Sequence, residues 1–380
     1  MFRAMRPFAS AIVIALASSA AASVTRVDLS SGQGDWRYRF DPERTVLTDA
    51  DSLVQDGHGL AKDRAGNIYY TFNPREHTPT SQVLVRFSPD GRNPTWLGEM
   101  GEGGLSRGIP HGLQIEYDPI DEREYLYHSN NDATVIKTTL DGEILWRANF
   151  SGWQTARPHY WPFKPCDAVV VPASDVLLVT DGYGSSYVHS LNKTTGAYLE
   201  GRSFGGKGRS SADPVRLDTP HAIALDPRRP GTFAISDRSN HRLVWVTASG
   251  HFVAEALTAS PAGMSLPCNV DVRADEAVGD VALVPSLGLS YNNLNNGSVA
   301  IYDEGHTVLS VIEVAATVGH LGHQHPHDAI FLPNGDVVIA CWSGPSNGPE
   351  QGPAKGTIGY WQRLPARDAR RSKPQASSQR

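Results

Sequence analysis

The stretch Pro110-His111-Gly112-Leu113 decides the fold, because five related stretches lie at regular intervals along the chain. Each copy places a His or a Cys second, usually behind a Pro and ahead of a short apolar run. The six copies are Gly57-His58-Gly59-Leu60, Pro110-His111-Gly112-Leu113, Pro165-Cys166-Asp167-Ala168, Pro220-His221-Ala222-Ile223, Pro267-Cys268-Asn269-Val270 and Pro326-His327-Asp328-Ala329. A repeat of roughly fifty residues is typical of propeller blades with four strands each. The sequence therefore predicts an all-β, six-bladed β-propeller.

A second apolar segment follows each motif and supports this interpretation. These segments are rich in β-branched and aromatic residues, as half-buried strands are. They lie at 67–70, 125–128, 176–179, 232–235, 281–284 and 337–340. Turns such as Pro89-Asp90-Gly91 supply the positive-φ residue that a hairpin needs. Residues 36–40 are expected to close the last blade by pairing with 360–363.

Composition agrees with many short strands and excludes some classes of function. The 380 residues include 36 Gly and 26 Pro, and 40% are hydrophobic. The net charge is −6 and no basic stripe precedes the C-terminal tail, so we expect no nucleic-acid partner. Three cysteines are too few for a disulfide scaffold.

Both chain ends have a distinct composition. Arg3 and Arg6 precede the apolar run 11–17 and the small residues Ala20-Ala21-Ala22, a pattern typical of a cleaved signal peptide over 1–22. An uncleaved anchor is the alternative, although no stop-transfer pattern follows. We expect an exported protein, periplasmic or secreted, with no membrane span in the mature chain. The propeller is expected over 23–366, and a disordered polar tail over 367–380.

The second motif positions should form one ring, because the innermost strand of each blade starts near the central channel. Alternate members lie about 120° apart in a six-bladed propeller. His111, His221 and His327 stand on alternate blades, and three imidazoles with an open position are typical of catalytic zinc. Iron, copper and nickel also accept imidazole. Alternatively, each histidine simply hydrogen-bonds a loop carbonyl.

The other three ring members are His58, Cys166 and Cys268. They could bind a soft metal or form a cysteine pair. Buried cysteines also act as small apolar residues that pack the start of a strand. The sequence leaves these alternatives open.

Two further motifs make a family recognisable, Asp181-Gly182-Tyr183 and Asp237-Arg238-Ser239-Asn240-His241-Arg242. With the histidine motifs, they resemble the NHL-repeat propellers, and among these the peptidyl-α-hydroxyglycine α-amidating lyases, over about residues 50 to 363. The resemblance implies a catalytic zinc held by His111, His221 and His327. It also implies a structural calcium held by the carbonyls of Leu60 and Leu113 and by the carboxylate of Asp328.

The same resemblance implies catalytic roles. Tyr183 corresponds to the catalytic tyrosine, and Arg238 to the arginine that binds the substrate carboxylate. Arg75 corresponds to an active-site arginine of blade one, displaced by one residue from the family's pattern. Gly184 and Phe163 stand where animal members have a cysteine pair, so the bracing disulfide is absent.

The resemblance implies a metal-dependent carbon–nitrogen lyase. Its substrate would be a carbinolamide of the peptidyl-α-hydroxyglycine type, and its products a primary amide and glyoxylate. We expect a monomer that acts on a small molecule or peptide with a terminal carboxylate. The alternative is a non-enzymatic NHL propeller that binds a protein or small ligand around a structural metal. A lactonase-type hydrolase would need acidic ligands, and the ring positions offer none.

Overall fold

The computed structural model describes residues 28–47, 54–74, 81–257, 265–273, 280–288, 297–342 and 357–365. Three predictions fall outside these ranges, namely the signal peptide over 1–22, the role of Arg75 and the tail over 367–380. The described strands extend from Ser30 to Arg363, within the domain expected over 23–366.

The described chain consists mainly of short strands. In order they are β1 (Ser30–Gln33), β2 (Trp36–Asp41), β3 (Val54–Lys62), β4 (Ile68–Pro74), β5 (Gln82–Phe87), β6 (Thr95–Glu99), β7 (Pro110–Asp118), β8 (Arg123–Asn130), β9 (Thr134–Thr139), β10 (Ile144–Asn149), β11 (Asp167–Val170), β12 (Val176–Thr180), β13 (Tyr187–Asn192), β14 (Phe204–Gly205), β15 (Pro220–Leu225), β16 (Thr232–Asp237), β17 (Arg242–Thr247), β18 (Phe252–Leu257), β19 (Asp271–Arg273), β20 (Val281–Ser286), β21 (Ser298–Tyr302), β22 (Val308–Ile312), β23 (His325–Phe331), β24 (Val337–Trp342) and β25 (Thr357–Arg363).

Helices are few and short. They are α1 (Trp153–Ala156), α2 (Val314–Val318) and 3-10 turns at Pro158–Tyr160, Arg238–Asn240 and Gly319–Leu321. In the described ranges, no helix has the length and apolar character that crossing a bilayer requires.

The strands form six antiparallel sheets, and each sheet is one blade. Blades one to five are four-stranded and use consecutive strands, β3–β6, β7–β10, β11–β14, β15–β18 and β19–β22. Five of the six predicted second strands lie within the second strand of their blade, and the first, 67–70, overlaps β4 from Ile68 onward. The predicted β-hairpin turns are also present, and Gly91 and Gly142 have φ values of 73° and 86°. The prediction of a six-bladed β-propeller is confirmed.

Blade six is built from both ends of the chain. Its strand order is β1-β2-β25-β24-β23, and β2 pairs with β25 so that Phe40 lies opposite Trp361. Burial along β2 alternates, with Trp36, Tyr38 and Phe40 facing inward. This pairing confirms the closure expected from residues 36–40, and it fastens the first described strands to the last.

Neighbouring blades pack face to face through apolar side chains. One buried cluster joins Leu178 and Val188 of blade three to Phe233 and Ile235 of blade four. Burying such surface contributes roughly 25 cal/mol per Å² to folding. The packed blades hold the inner strands β3, β7, β11, β15, β19 and β23 around the central channel.

Candidate metal centre and active site

The ring histidines of blades two, four and six lie at β-bulges. In each inner strand the register with the second strand skips one residue, between Pro110 and Gly112, between Pro220 and Ala222, and between Pro326 and Asp328. The skipped residue is the ring histidine. A bulge frees a residue from the ladder and re-aims its side chain, which explains how His111, His221 and His327 point away from the sheets.

These three histidines share one hydrogen-bonding pattern, in which the ring donates to the backbone carbonyl of the next ring member. Nδ1 of His111 donates to Cys166 at 2.8 Å, Nδ1 of His221 donates to Cys268 at 2.7 Å, and the carbonyl of His58 accepts from His327. Because a carbonyl can only accept, Nδ1 carries the proton in His111 and His221, and Nε2 has the free lone pair. Such outer contacts orient metal-ligating imidazoles.

The predicted ligands come together in the channel. The ring centroids of His111, His221 and His327 lie 4.7 to 4.8 Å apart in all three pairs. All three side chains are buried, and Nε2 of His111 and of His327 has no hydrogen-bond partner within the described residues. Unpaired lone pairs at one point of a buried channel fit a cation that prefers imidazole.

The structure also brings two further members of the ring, His58 and Cys166, within reach of these histidines. His58 forms a set with His111 and His327, and Cys166 forms a second set with His111 and His221; within each set, one ligand atom per residue lies within 4.8 Å of the others. The spacing of the motifs placed His58 and Cys166 on the ring but could not supply these distances. The cluster of buried histidines and cysteine could therefore hold a metal ion.

Burial and one cation keep the imidazoles neutral. Burial, with a smaller contribution from the positive charge of Arg238, lowers the pKa of His111 to about 3, although the hydrogen bond to the Cys166 carbonyl opposes this shift. The pKa values of His221 and His327 are also well below the ordinary value, chiefly because of burial. Metals bind the neutral form of histidine, so these rings are ready for coordination without loss of a proton.

Tyr183 connects the ring to Arg238. It lies in the turn between β12 and β13, and its hydroxyl donates to Nε2 of His221 at 3.0 Å and accepts from Nη1 of Arg238 at 3.0 Å. Burial raises the pKa of Tyr183 above its usual value, and the Arg238 guanidinium opposes this shift. The predicted base, the predicted carboxylate-binding arginine and one predicted metal ligand thus form one chain of hydrogen bonds.

Arg238 is held in the channel by its own short turn. It begins the 3-10 turn after β16, is 5% exposed, and donates its backbone N–H to the carbonyl of Thr219 at 3.1 Å. The neighbouring Asp237 pairs with Arg242, whose Nε lies 2.7 Å from Oδ2 of Asp237.

A layer of carboxylates and backbone groups also lines the channel. Oδ2 of Asp328 accepts the backbone N–H of Leu60 at 2.6 Å, and Oδ2 of Asp167 accepts that of Ile223 at 3.1 Å. Burial raises the pKa of Asp167 to about 7 and holds that of Asp328 well above its ordinary value. The charge of Asp167 adds to the upward shift of the Asp328 pKa. Sequence reasoning missed Asp167, although it follows Cys166 as Asp328 follows His327.

Comparisons with known proteins agree with the fold. No family model matches the chain. A solved structure of luciferin-regenerating enzyme is similar over 82% of this chain and 93% of that chain, with 10% identity and a TM-score of 0.52. A solved structure of a protein of unknown function from Bacteroides caccae is similar over 75% of this chain and 87% of that chain, with 14% identity and a TM-score of 0.45. At 10% identity, the likeness to luciferin-regenerating enzyme shows the fold alone. The first of these proteins is named as an enzyme, and the second has no known activity.

Proposed function

We propose that this protein is a metal-dependent lyase that cleaves the carbon–nitrogen bond of a carbinolamide resembling a peptidyl-α-hydroxyglycine. One observation carries the proposal: a single hydroxyl, that of Tyr183, lies 3.0 Å from both His221 and Arg238. A proton acceptor, a cation for a carboxylate and a cluster of neutral imidazoles therefore surround one small volume. This combination is what a substrate with a hydroxyl beside a carboxylate requires.

The proposed metal is zinc, held by His111, His221 and His327 through Nε2. When bound, such a cation supplies a Lewis acid that acidifies a nearby hydroxyl group. A structural calcium at Asp328, Leu60 and Leu113 is proposed in addition, because oxygen ligands suit that ion. The position of Asp328 in the channel supports it.

In the proposed reaction Tyr183 moves one proton. Its phenolate oxygen takes the proton of the substrate hydroxyl, the carbon–oxygen bond becomes a carbonyl, and the carbon–nitrogen bond breaks. Tyr183 then gives the proton to the leaving amide nitrogen, so a primary amide and glyoxylate leave and the enzyme is unchanged. Burial raises the pKa of Tyr183, so formation of the phenolate depends on the Arg238 guanidinium, which opposes this shift, and on the positive charge that a bound zinc would add.

Arg238 also has the geometry of a carboxylate clamp. A guanidinium offers two parallel donors to a carboxylate, and burial strengthens such a contact. Nη1 already donates to Tyr183, so a substrate bound there would lie beside the base. Removing a positioned base typically costs a factor of roughly 10² to 10⁴ in rate.

The test is to measure bound metals and glyoxylate release from an N-acyl-α-hydroxyglycine. We expect wild type to release glyoxylate, His221→Ala to lose metal and activity, and Tyr183→Phe to keep metal but lose activity about 10²-fold or more. Tyr302→Phe removes the hydroxyl of another buried tyrosine in β21 and serves as the control. Metal binding by wild type without any glyoxylate release would refute the lyase and favour a propeller with a structural metal.

A further inference from the structure

His58 is the ring histidine that the proposed ligand set leaves out. It lies in β3 at the blade-one position, is 4% exposed, and neither Nδ1 nor Nε2 has a hydrogen-bond partner within the described part of the chain. A neutral imidazole carries one donor and one acceptor, and buried polar groups are nearly always paired. Within the described residues, both ring nitrogens of this buried histidine are thus left without a hydrogen-bond partner.

The neighbouring ring members do not show this pattern. His111 and His221 each anchor Nδ1 on a backbone carbonyl, and the thiols of Cys166 and Cys268 lie 3.7 and 3.6 Å from carbonyl oxygens. His58 has no such anchor in the described residues, although its own carbonyl accepts from His327. Leaving a buried donor and acceptor unpaired costs free energy that a ligand at this place would recover.

The position of His58 indicates which ligand that is. Its ring centroid lies 4.7 Å from that of His111 and 4.9 Å from that of His327. One ligand atom of each of these three residues lies within 4.8 Å of the others. A ring nitrogen of His58 therefore lies close enough to ring nitrogens of His111 and His327 for the three residues to share a metal ion.

We propose that His58 is a fourth imidazole ligand of the ring metal, which adds blade one to the ligands from blades two, four and six. The proposal rests on the metal of the proposed function, and its test measures metal binding rather than the lyase reaction. Four imidazole donors suit zinc, copper, nickel or cobalt and exclude calcium and magnesium, which prefer oxygen. The affinity for metal should then depend on His58 as it does on the other three.

Zinc affinity, measured by competition with a chromogenic chelator, tests the proposal directly. Loss of an outer contact to a ligand typically weakens metal binding by roughly 10 to 100-fold, so His58→Ala should cost at least about tenfold. His128→Asn is the matched control, because it replaces a buried histidine outside the ring whose Nε2 hydrogen-bonds Thr138. Affinity of His58→Ala within twofold of wild type would overturn the proposal.

A second measurement needs no variant and so does not depend on folding of His58→Ala. X-ray absorption at the zinc edge of the wild-type protein counts imidazole ligands, and we expect four. A count of three imidazoles would overturn this inference but leave the proposed triad intact. Loss of zinc binding in His221→Ala together with full zinc binding in His58→Ala would have the same two consequences. Four imidazoles without glyoxylate release would refute the lyase and leave the present inference standing. A wild type without metal would overturn both.

Discussion

Tyr183→Phe should bind zinc more tightly than the wild-type protein does. In the structure, the Tyr183 hydroxyl donates to Nε2 of His221, the nitrogen that a metal must take. Metal binding therefore has to break this hydrogen bond. The phenylalanine variant has no such bond to break, whereas the contact from His221 Nδ1 to the carbonyl of Cys268 is retained.

The size of the effect follows from the bond that is lost. A hydrogen bond of this kind contributes about 0.5 to 1.5 kcal/mol net. Since 1.4 kcal/mol corresponds to a tenfold change in an equilibrium constant, the zinc dissociation constant should fall by roughly 2 to 12-fold. Nη1 of Arg238 loses its acceptor in the free and in the bound protein alike, so that loss cancels.

Isothermal titration calorimetry or chelator competition at pH 7 measures the change, with Tyr302→Phe as the control. Tyr302→Phe also deletes a buried hydroxyl but should leave the dissociation constant as it is. Weaker binding by Tyr183→Phe would refute the reasoning, because it would show that the phenol oxygen is itself a ligand of the metal.

Three more predictions concern the scaffold. Gly112→Ala should weaken zinc binding by roughly 10 to 100-fold in the same titration. Its Cβ would lie 2.2 Å from the Cys166 carbonyl oxygen, which orients the ring of His111. Gly152→Ala is the control, because a Cβ at that position meets no atom within 4 Å. Burial lowers the pKa of His128 to about 3, so the unfolded chain takes up the proton first. The contribution of His128 to the free energy of unfolding is full above pH 6.5 and should fall by about 1.4 kcal/mol per pH unit below it. In urea denaturation between pH 7 and 5, the free energy of unfolding of His128→Asn should fall less steeply with decreasing pH than that of the wild-type protein. Equal slopes for the two proteins would contradict this prediction. Phe40→Ala should cost about 3 to 5 kcal/mol in the same assay at pH 7, because blade six loses a buried contact between β2 and β25. A loss under 1 kcal/mol would mean that β2 does not close the ring.

The blade count could be predicted from the sequence because it depends on local patterns. Each motif precedes an apolar segment, and the burial of β12, β16 and β24 follows from that apolar character. The outermost strands were not predicted one by one. Strands such as β10, with no fully buried residue, and β14, with two residues, carry almost no periodic signal.

The site was predictable in part. Periodicity placed His111, His221 and His327 on alternate blades, and the structure brings their rings together. The periodicity of the motifs could not reveal that His58 and Cys166 come within ligand distance of these histidines, because that distance depends on the channel width and on side-chain rotamers. The network through Tyr183 was also out of reach, because a turn of blade three and a turn of blade four meet only after the blades have packed.

The bulges give this fold a property of interest to protein engineers. The backbone N–H groups of Cys166 and Cys268 donate to second-strand carbonyls of their blades. In the strand pairs that the structure describes, however, the register skips the four ring histidines, His58, His111, His221 and His327. Exchanging the side chain at one of these positions therefore leaves the cross-strand ladders untouched. The ligand set in the channel can therefore be changed while the blades keep their strand pairing. A propeller of this kind could acquire a different metal through ring substitutions alone.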